Sequence, residues 1–211
     1  MKMNVYLYLS LFLFICLMVI ILSNFITRKV VRDEFNNKIK LDISLEQMQV
    51  AEQKIKIFLE ENQMQIGESI LEIAKILKVK EGGSEEGIAG QARLSEPNVN
   101  GEMVVTYKNG LTAEERMFIL AHECAHLINN DPVPNARPDG GNKPLVEQVA
   151  DYTAAALLMP LDSVYNYLKN NNYTKESSKK RVAIVRSLCK IYGVSELIAL
   201  RRIKEVYELK K

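Results

Sequence analysis

The two histidines of this chain stand four residues apart, in His122-Glu123-Cys124-Ala125-His126, and that spacing constrains the local fold more than any other feature of the 211 residues. On an α-helix, positions i and i+4 share one face a turn apart, so both imidazoles can reach one metal ion from the same side. Glu123 then projects beside the metal, where it can hold a water and accept its proton. His122 and His126 therefore read as zinc ligands and Glu123 as the base.

A tetrahedral catalytic zinc takes three protein ligands and keeps its fourth position open. Downstream, Glu147-Gln148-Val149-Ala150-Asp151 places two carboxylates on one face of a second helix. Glu147 can complete a His₂Glu set around a single Zn²⁺, and Asp151, a turn later, can accept the free ring N–H of a ligand histidine. The helix continues through small residues (Ala150, Ala154, Ala155) that allow close packing, and its apolar run stops at Pro160. Carboxylates on such a buried helix need partners. Cys124, two residues beyond His122, points about 200° round the helix and reads as a core position.

These segments resemble the ImmA/IrrE family of metallo-endopeptidases, which are of gluzincin type. The likeness rests on Arg116 to Ala121 leading into the histidine motif, on Glu147 to Asp151, and on Ala154 to Pro160 with its Leu-Leu-Met-Pro ending. Tyr192-Gly193-Val194-Ser195 adds a weaker match. The family usually reads H-E-L-G-H, whereas Cys124 and Ala125 stand here; one is a small buried hydrophobe and the other keeps its position small.

The resemblance implies a mostly helical α+β, zincin-like (minigluzincin) domain with a small sheet and a C-terminal helical subdomain. It implies peptide-bond hydrolysis at one zinc, with a regulatory protein such as a helix-turn-helix repressor of a mobile element as substrate. It also implies an edge strand beside the site that binds substrate as an added β-strand, for which Met103, Val104, Val105, Thr106 and Tyr107 are the candidates. A third histidine to stabilise the oxyanion does not exist, so a tyrosine, an arginine or the metal must serve. Two other readings stand beside this one: a zinc-containing sensor or binding module that does not cleave, and a general membrane-associated peptidase.

The N-terminus carries a second strong signal. Met3 to Thr27 holds no charged residue, and Val5 to Leu22 is apolar apart from Ser10. About 20 such residues span a hydrocarbon core of roughly 30 Å, so residues 4–27 read as a transmembrane helix. The absence of a small-residue cleavage site argues for an uncleaved anchor. Arg28, Lys29 and Arg32 follow the segment while only Lys2 precedes it. The positive-inside rule then expects a single-pass membrane protein with its catalytic domain facing the cytoplasm.

The remaining chain divides, in expectation, into helical stalk or N-terminal helices over 28–80, a zinc metallopeptidase core over 81–160 and the C-terminal subdomain over 161–211. Leu45 to Asn62 and Ile66 to Val79 have helical periodicity, and Glu81 to Gly87 reads as a turn-rich break. Ile88 to Leu94 and Glu102 to Tyr107 have strand character. Thr112 and Glu115 form a capping-box pattern that starts the motif helix, which should end near Asn129-Asn130. The proline-rich stretch from Asp131 to Leu145 reads as a rim of the site. A net charge of +2 gives no argument for nucleic acid as a main partner, and Arg201, Arg202 and Lys204 read as part of a packed helical subdomain rather than a DNA-reading helix.

Overall fold

The computed structural model describes Phe14, Met18, Leu41 and residues 43–88, 91–131 and 143–211. Among the described residues from 43 on, the first part holds four helices and a three-stranded sheet: α1 (Leu45–Glu61), α2 (Ile70–Ile76), β1 (Val79–Glu85), β2 (Ala92–Leu94), β3 (Met103–Lys108), α3 (Ala113–Asn129) and α4 (Leu145–Leu158). Three more helices follow: α5 (Leu161–Asn170), α6 (Ser178–Tyr192) and α7 (Glu196–Leu209), with a 3₁₀ turn at Tyr173–Lys175.

Local chemistry accounts for most boundaries. Ser44 caps α1 and Thr112 caps α3, each in a reciprocal box with the residue three positions on, Gln47 and Glu115. Such caps satisfy end donors and contribute about 1 kcal/mol each. Pro144 and Pro160 flank α4. The second helix is shorter than its periodicity suggests. Gly67, at φ +92, turns the chain before it, and Lys78, at φ 57, ends it in the left-handed region.

The segment expected to be a break is instead strand β1. It runs parallel to β3 from Val79↔Met103 to Glu85↔Lys108, with a bulge between Glu81 and Ser84. Turn-forming composition misled here because Gly82 serves close approach: a Cβ at that position would lie 2.7 Å from Val104 Cγ1 and 3.0 Å from the Val105 carbonyl oxygen.

The sheet order is β1-β3-β2, which corrects the expectation for Met103 to Tyr107. That segment is the central strand, with β1 parallel on one side and β2 antiparallel on the other. Its ladder groups face two neighbours, so it cannot accept a further strand. Met103, Val105 and Tyr107 face inward and build the core.

A membrane placement is also overturned. No helix among the described residues is long and apolar enough to cross a membrane. The longest of these, α1 and α3, have 17 residues each, short of the ~20 apolar residues a span takes, and both carry charged residues. The expected anchor at 4–27 lies outside the described residues apart from Phe14 and Met18.

Apolar side chains gather in two clusters. One joins α1, α2, the sheet, α3 and α4. The other joins α5, α6 and α7 around Met159, Leu168, Val185, Leu200 and Ile203. Of the two readings of α1, stalk or first helix, its burial fits the second: Met48, Ala51, Ile55 and Leu59 are buried in the first cluster. A polar hub links α1, α4 and α7. Fully buried Arg202 donates to the Met159 carbonyl (2.9 Å) and to Glu52 (2.7 Å), and Tyr152 donates to the same Glu52 oxygen (2.7 Å).

Candidate metal centre

α3 presents His122 and His126 one turn apart, their rings edge to face with centroids 4.7 Å apart. Their Nε2 atoms approach to 3.1 Å. α4 packs beside α3, and Ala121 and Ala125 of α3 and Ala150 and Ala154 of α4 are all fully buried. Short side chains let packed helix backbones come close. The close approach delivers Glu147, in the first turn of α4, to both rings: Oε2 lies 3.3 Å from His122 Nε2 and Oε1 lies 3.4 Å from His126 Nε2. All three residues are buried, and one donor atom from each falls within 4.8 Å of the others.

The far sides of both rings are held. His122 Nδ1 lies 2.9 Å from Asp151 Oδ1, one turn beyond Glu147 on α4. His126 Nδ1 lies 3.1 Å from Asp131 Oδ2. Sequence reasoning singled out Asp151 but missed Asp131. Its signal was faint, a carboxylate just past the helix end, and its reach depends on Asn130 taking the left-handed conformation (φ 56) that folds the chain back. Lys143 and Arg201 were missed too. Lys143 ion-pairs with Asp151 Oδ2, and Arg201 Nη1 stands 3.9 Å from the same oxygen.

A carboxylate at Nδ1 accepts a hydrogen bond from the ring N–H, which holds the proton on Nδ1 and leaves a lone pair on Nε2. With both rings neutral, two nitrogen lone pairs and two carboxylate oxygens converge in a buried space, and their mutual repulsion requires a positive charge among them. A proton on His122 supplies one. Burial opposes it, but Asp151 and Glu147 outweigh burial and raise the His122 pKa to about 9. A divalent cation supplies more charge, and two imidazoles with one carboxylate match a His₂Glu donor set. The residues therefore fit a metal ion.

Glu123 sits next to His122 on the motif helix and is half-buried, unlike the fully enclosed Cys124. Burial pushes the Cys124 thiol up to about 12, so it stays protonated, and it belongs to the first apolar cluster. Asp151, although burial would raise it, is held down at about 2 by His122 and Lys143. Among the tyrosines, Tyr107 donates to Glu81 (2.9 Å) and Tyr152 to Glu52, so both hydroxyls are engaged in the scaffold. The proline-rich rim expected after Asp131 falls largely on residues 132–142, outside the described residues.

A mostly helical α+β domain with a three-stranded sheet, a helix bearing His-Glu-x-x-His and a buried glutamate from the next helix has the make-up of a zincin-like domain. The chain belongs to the Peptidase_M78 family: the profile described as an IrrE N-terminal-like domain matches residues 85–204, from the end of β1 into α7. The family's name points to metallopeptidases. No curated protein matches the chain significantly. A solved structure titled "Mycobacterium tuberculosis transcriptional regulator" is similar at 16% identity and a TM-score of 0.47. The match covers 84% of this chain and 51% of that one, so this chain spans about half the length of that protein.

Proposed function

We propose that this chain is a zinc-dependent metallo-endopeptidase. The observation that carries the reading is the convergence of His122 Nε2, His126 Nε2 and the Glu147 carboxylate in one buried space, with Glu123 beside them. A zinc ion there would be held by His122, His126 and Glu147 and would supply Lewis-acid chemistry for hydrolysis. Glu123, beside them on the motif helix, would serve as the base that accepts a proton from water and returns it to the leaving amine. Asp151 and Asp131 hold the two imidazoles in the tautomer that frees Nε2. The substrate is a regulatory protein, with a helix-turn-helix repressor of a mobile element the first candidate. Support for that choice comes from the resemblance of the motif segments to the ImmA/IrrE metallo-endopeptidases.

Metal analysis combined with Glu123→Gln tests the reading. The variant should keep one equivalent of zinc and lose peptide cleavage by about 100-fold or more, the usual effect of removing a general base. Undiminished cleavage or biological effect in a zinc-loaded variant would sink it.

A further inference from the structure

Asp151 has two oxygens with different neighbours. Oδ1 faces His122 Nδ1 at 2.9 Å, while Oδ2 meets two cations that come from separate parts of the chain. Lys143 reaches it from just before α4, and Arg201 reaches toward it from the C-terminal helix α7 at 3.9 Å. Lys143 is itself tethered, since Gln148 Nε2 donates to its carbonyl oxygen at 2.6 Å. Arg201 is placed by a further chain of charges: its Nε lies 3.0 Å from Glu205 Oε1, and Glu205 Oε2 lies 3.5 Å from Arg202 Nη1. Arg202 is bolted to the Met159 carbonyl and to Glu52 of α1. Glu205 and Arg202 are 1% and 0% exposed, so α7 cannot shift without uncovering buried charge.

We propose that Lys143 and Arg201 are positioning residues that clamp Asp151 from behind, so that docking of the C-terminal helix sets the metal affinity of the His122/His126/Glu147 site. The physical reason is geometric. A carboxylate can swing about its Cβ–Cγ bond, and two cations on Oδ2 restrict it to the rotamer in which Oδ1 meets His122. Without them Asp151 can turn toward solvent, and the imidazole it holds is released to rotate. The C-terminal helices, which hold none of the ligands, thereby become part of the metal site. Coupling of this kind is reciprocal: metal binding should also tighten α7.

The inference rests on the metal reading above, and its test separates the two. Zinc affinity of the full chain is measured by competition with a chromophoric chelator, and cobalt(II) is used as a visible spectroscopic probe, in the wild type, K143Q, R201Q, the double variant and the charge-keeping K143R and R201K. If the wild type binds neither metal, the metal reading fails. If the proposal holds, the double variant binds zinc at least about fivefold more weakly, the low end for linked sites, with a changed cobalt spectrum. K143R and R201K should recover most of the loss. Metal should slow amide exchange in α7 of the wild type and not in R201Q. Both glutamine substitutions fall at partly exposed side chains (34% and 21%), so the fold should survive, which thermal melting of the metal-free forms checks. Wild-type-like zinc affinity in the double variant, or α7 exchange that ignores metal in the wild type, overturns the proposal.

Discussion

Asp131 holds His126 at two points. Its carboxylate lies 3.1 Å from the ring Nδ1, and its peptide N–H donates to the His126 carbonyl at 2.9 Å. One residue thus closes the end of the motif helix and orients the ligand that the helix carries. The loop back is made by Asn130, whose left-handed backbone (φ 56) suits asparagine better than most side chains.

Replacing Asp131 with Asn should loosen the ring without unfolding the helix, because the backbone half of the contact survives. Asn can still accept from Nδ1–H but carries no charge to strengthen the imidazole as a donor. Zinc affinity should fall about 10-fold to 100-fold, the range seen when the partner of a ligand histidine is lost. Competition titration measures it, and affinity equal to wild type would remove Asp131 from the site.

Proton and metal compete for His122, and this sets a pH dependence with a definite sign. Its pKa is raised from 6.5 to about 9 in the metal-free protein, so its contribution to stability is full below pH 6.5 and is lost as pH rises through 9. The melting temperature of the metal-free chain should therefore decline across that window, while the zinc-loaded chain stays level there. Zinc affinity should rise about tenfold per pH unit while His122 must surrender its proton. Asp151 works in the opposite direction: held at about 2, it contributes above its ordinary 3.8 and that contribution is lost as pH falls toward 2. Calorimetry at several pH values, in buffers of different ionisation enthalpy, reads the proton release directly. Zinc binding without proton release near pH 7 would refute the competition.

Gly82→Ala tests the sheet. The added methyl would stand 2.7 Å from Val104 Cγ1 and 3.0 Å from the Val105 carbonyl, which forces β1 away from β3 at the bulge. Overpacking of this kind costs about 1–3 kcal/mol, readable in urea unfolding. The same change at Gly83, where nothing lies within 4 Å, should cost far less. Equal effects at the two positions would show that the close approach is absent.

Much of the site could be read in one dimension because helical periodicity is a property of the local backbone. Residues four apart on α3 and on α4 must share a face whatever the rest of the chain does, so His122 with His126 and Glu147 with Asp151 were legible as pairs. Capping chemistry is equally local, and Thr112 with Glu115 announced the start of α3. Pairings across the fold were not legible. The order β1-β3-β2 turned the expected edge strand into the central one, because strand neighbours are chosen by packing between distant segments rather than by composition. Gly82 looked like a turn residue when its use was to let two strands approach. Asp131, Lys143 and Arg201 carry no spacing that ties them to the histidines; only the reversal at Asn130, the entry to α4 and the docking of α7 bring their charges to the metal-facing helices. The sequence alone determined which side chains could hold a metal, since donor type and helical spacing suffice for that. Tertiary packing decided which charges stand behind those side chains, since a charge acts across the few ångströms that folding closes and not across the seventy or more residues of chain that separate His122 from Arg201.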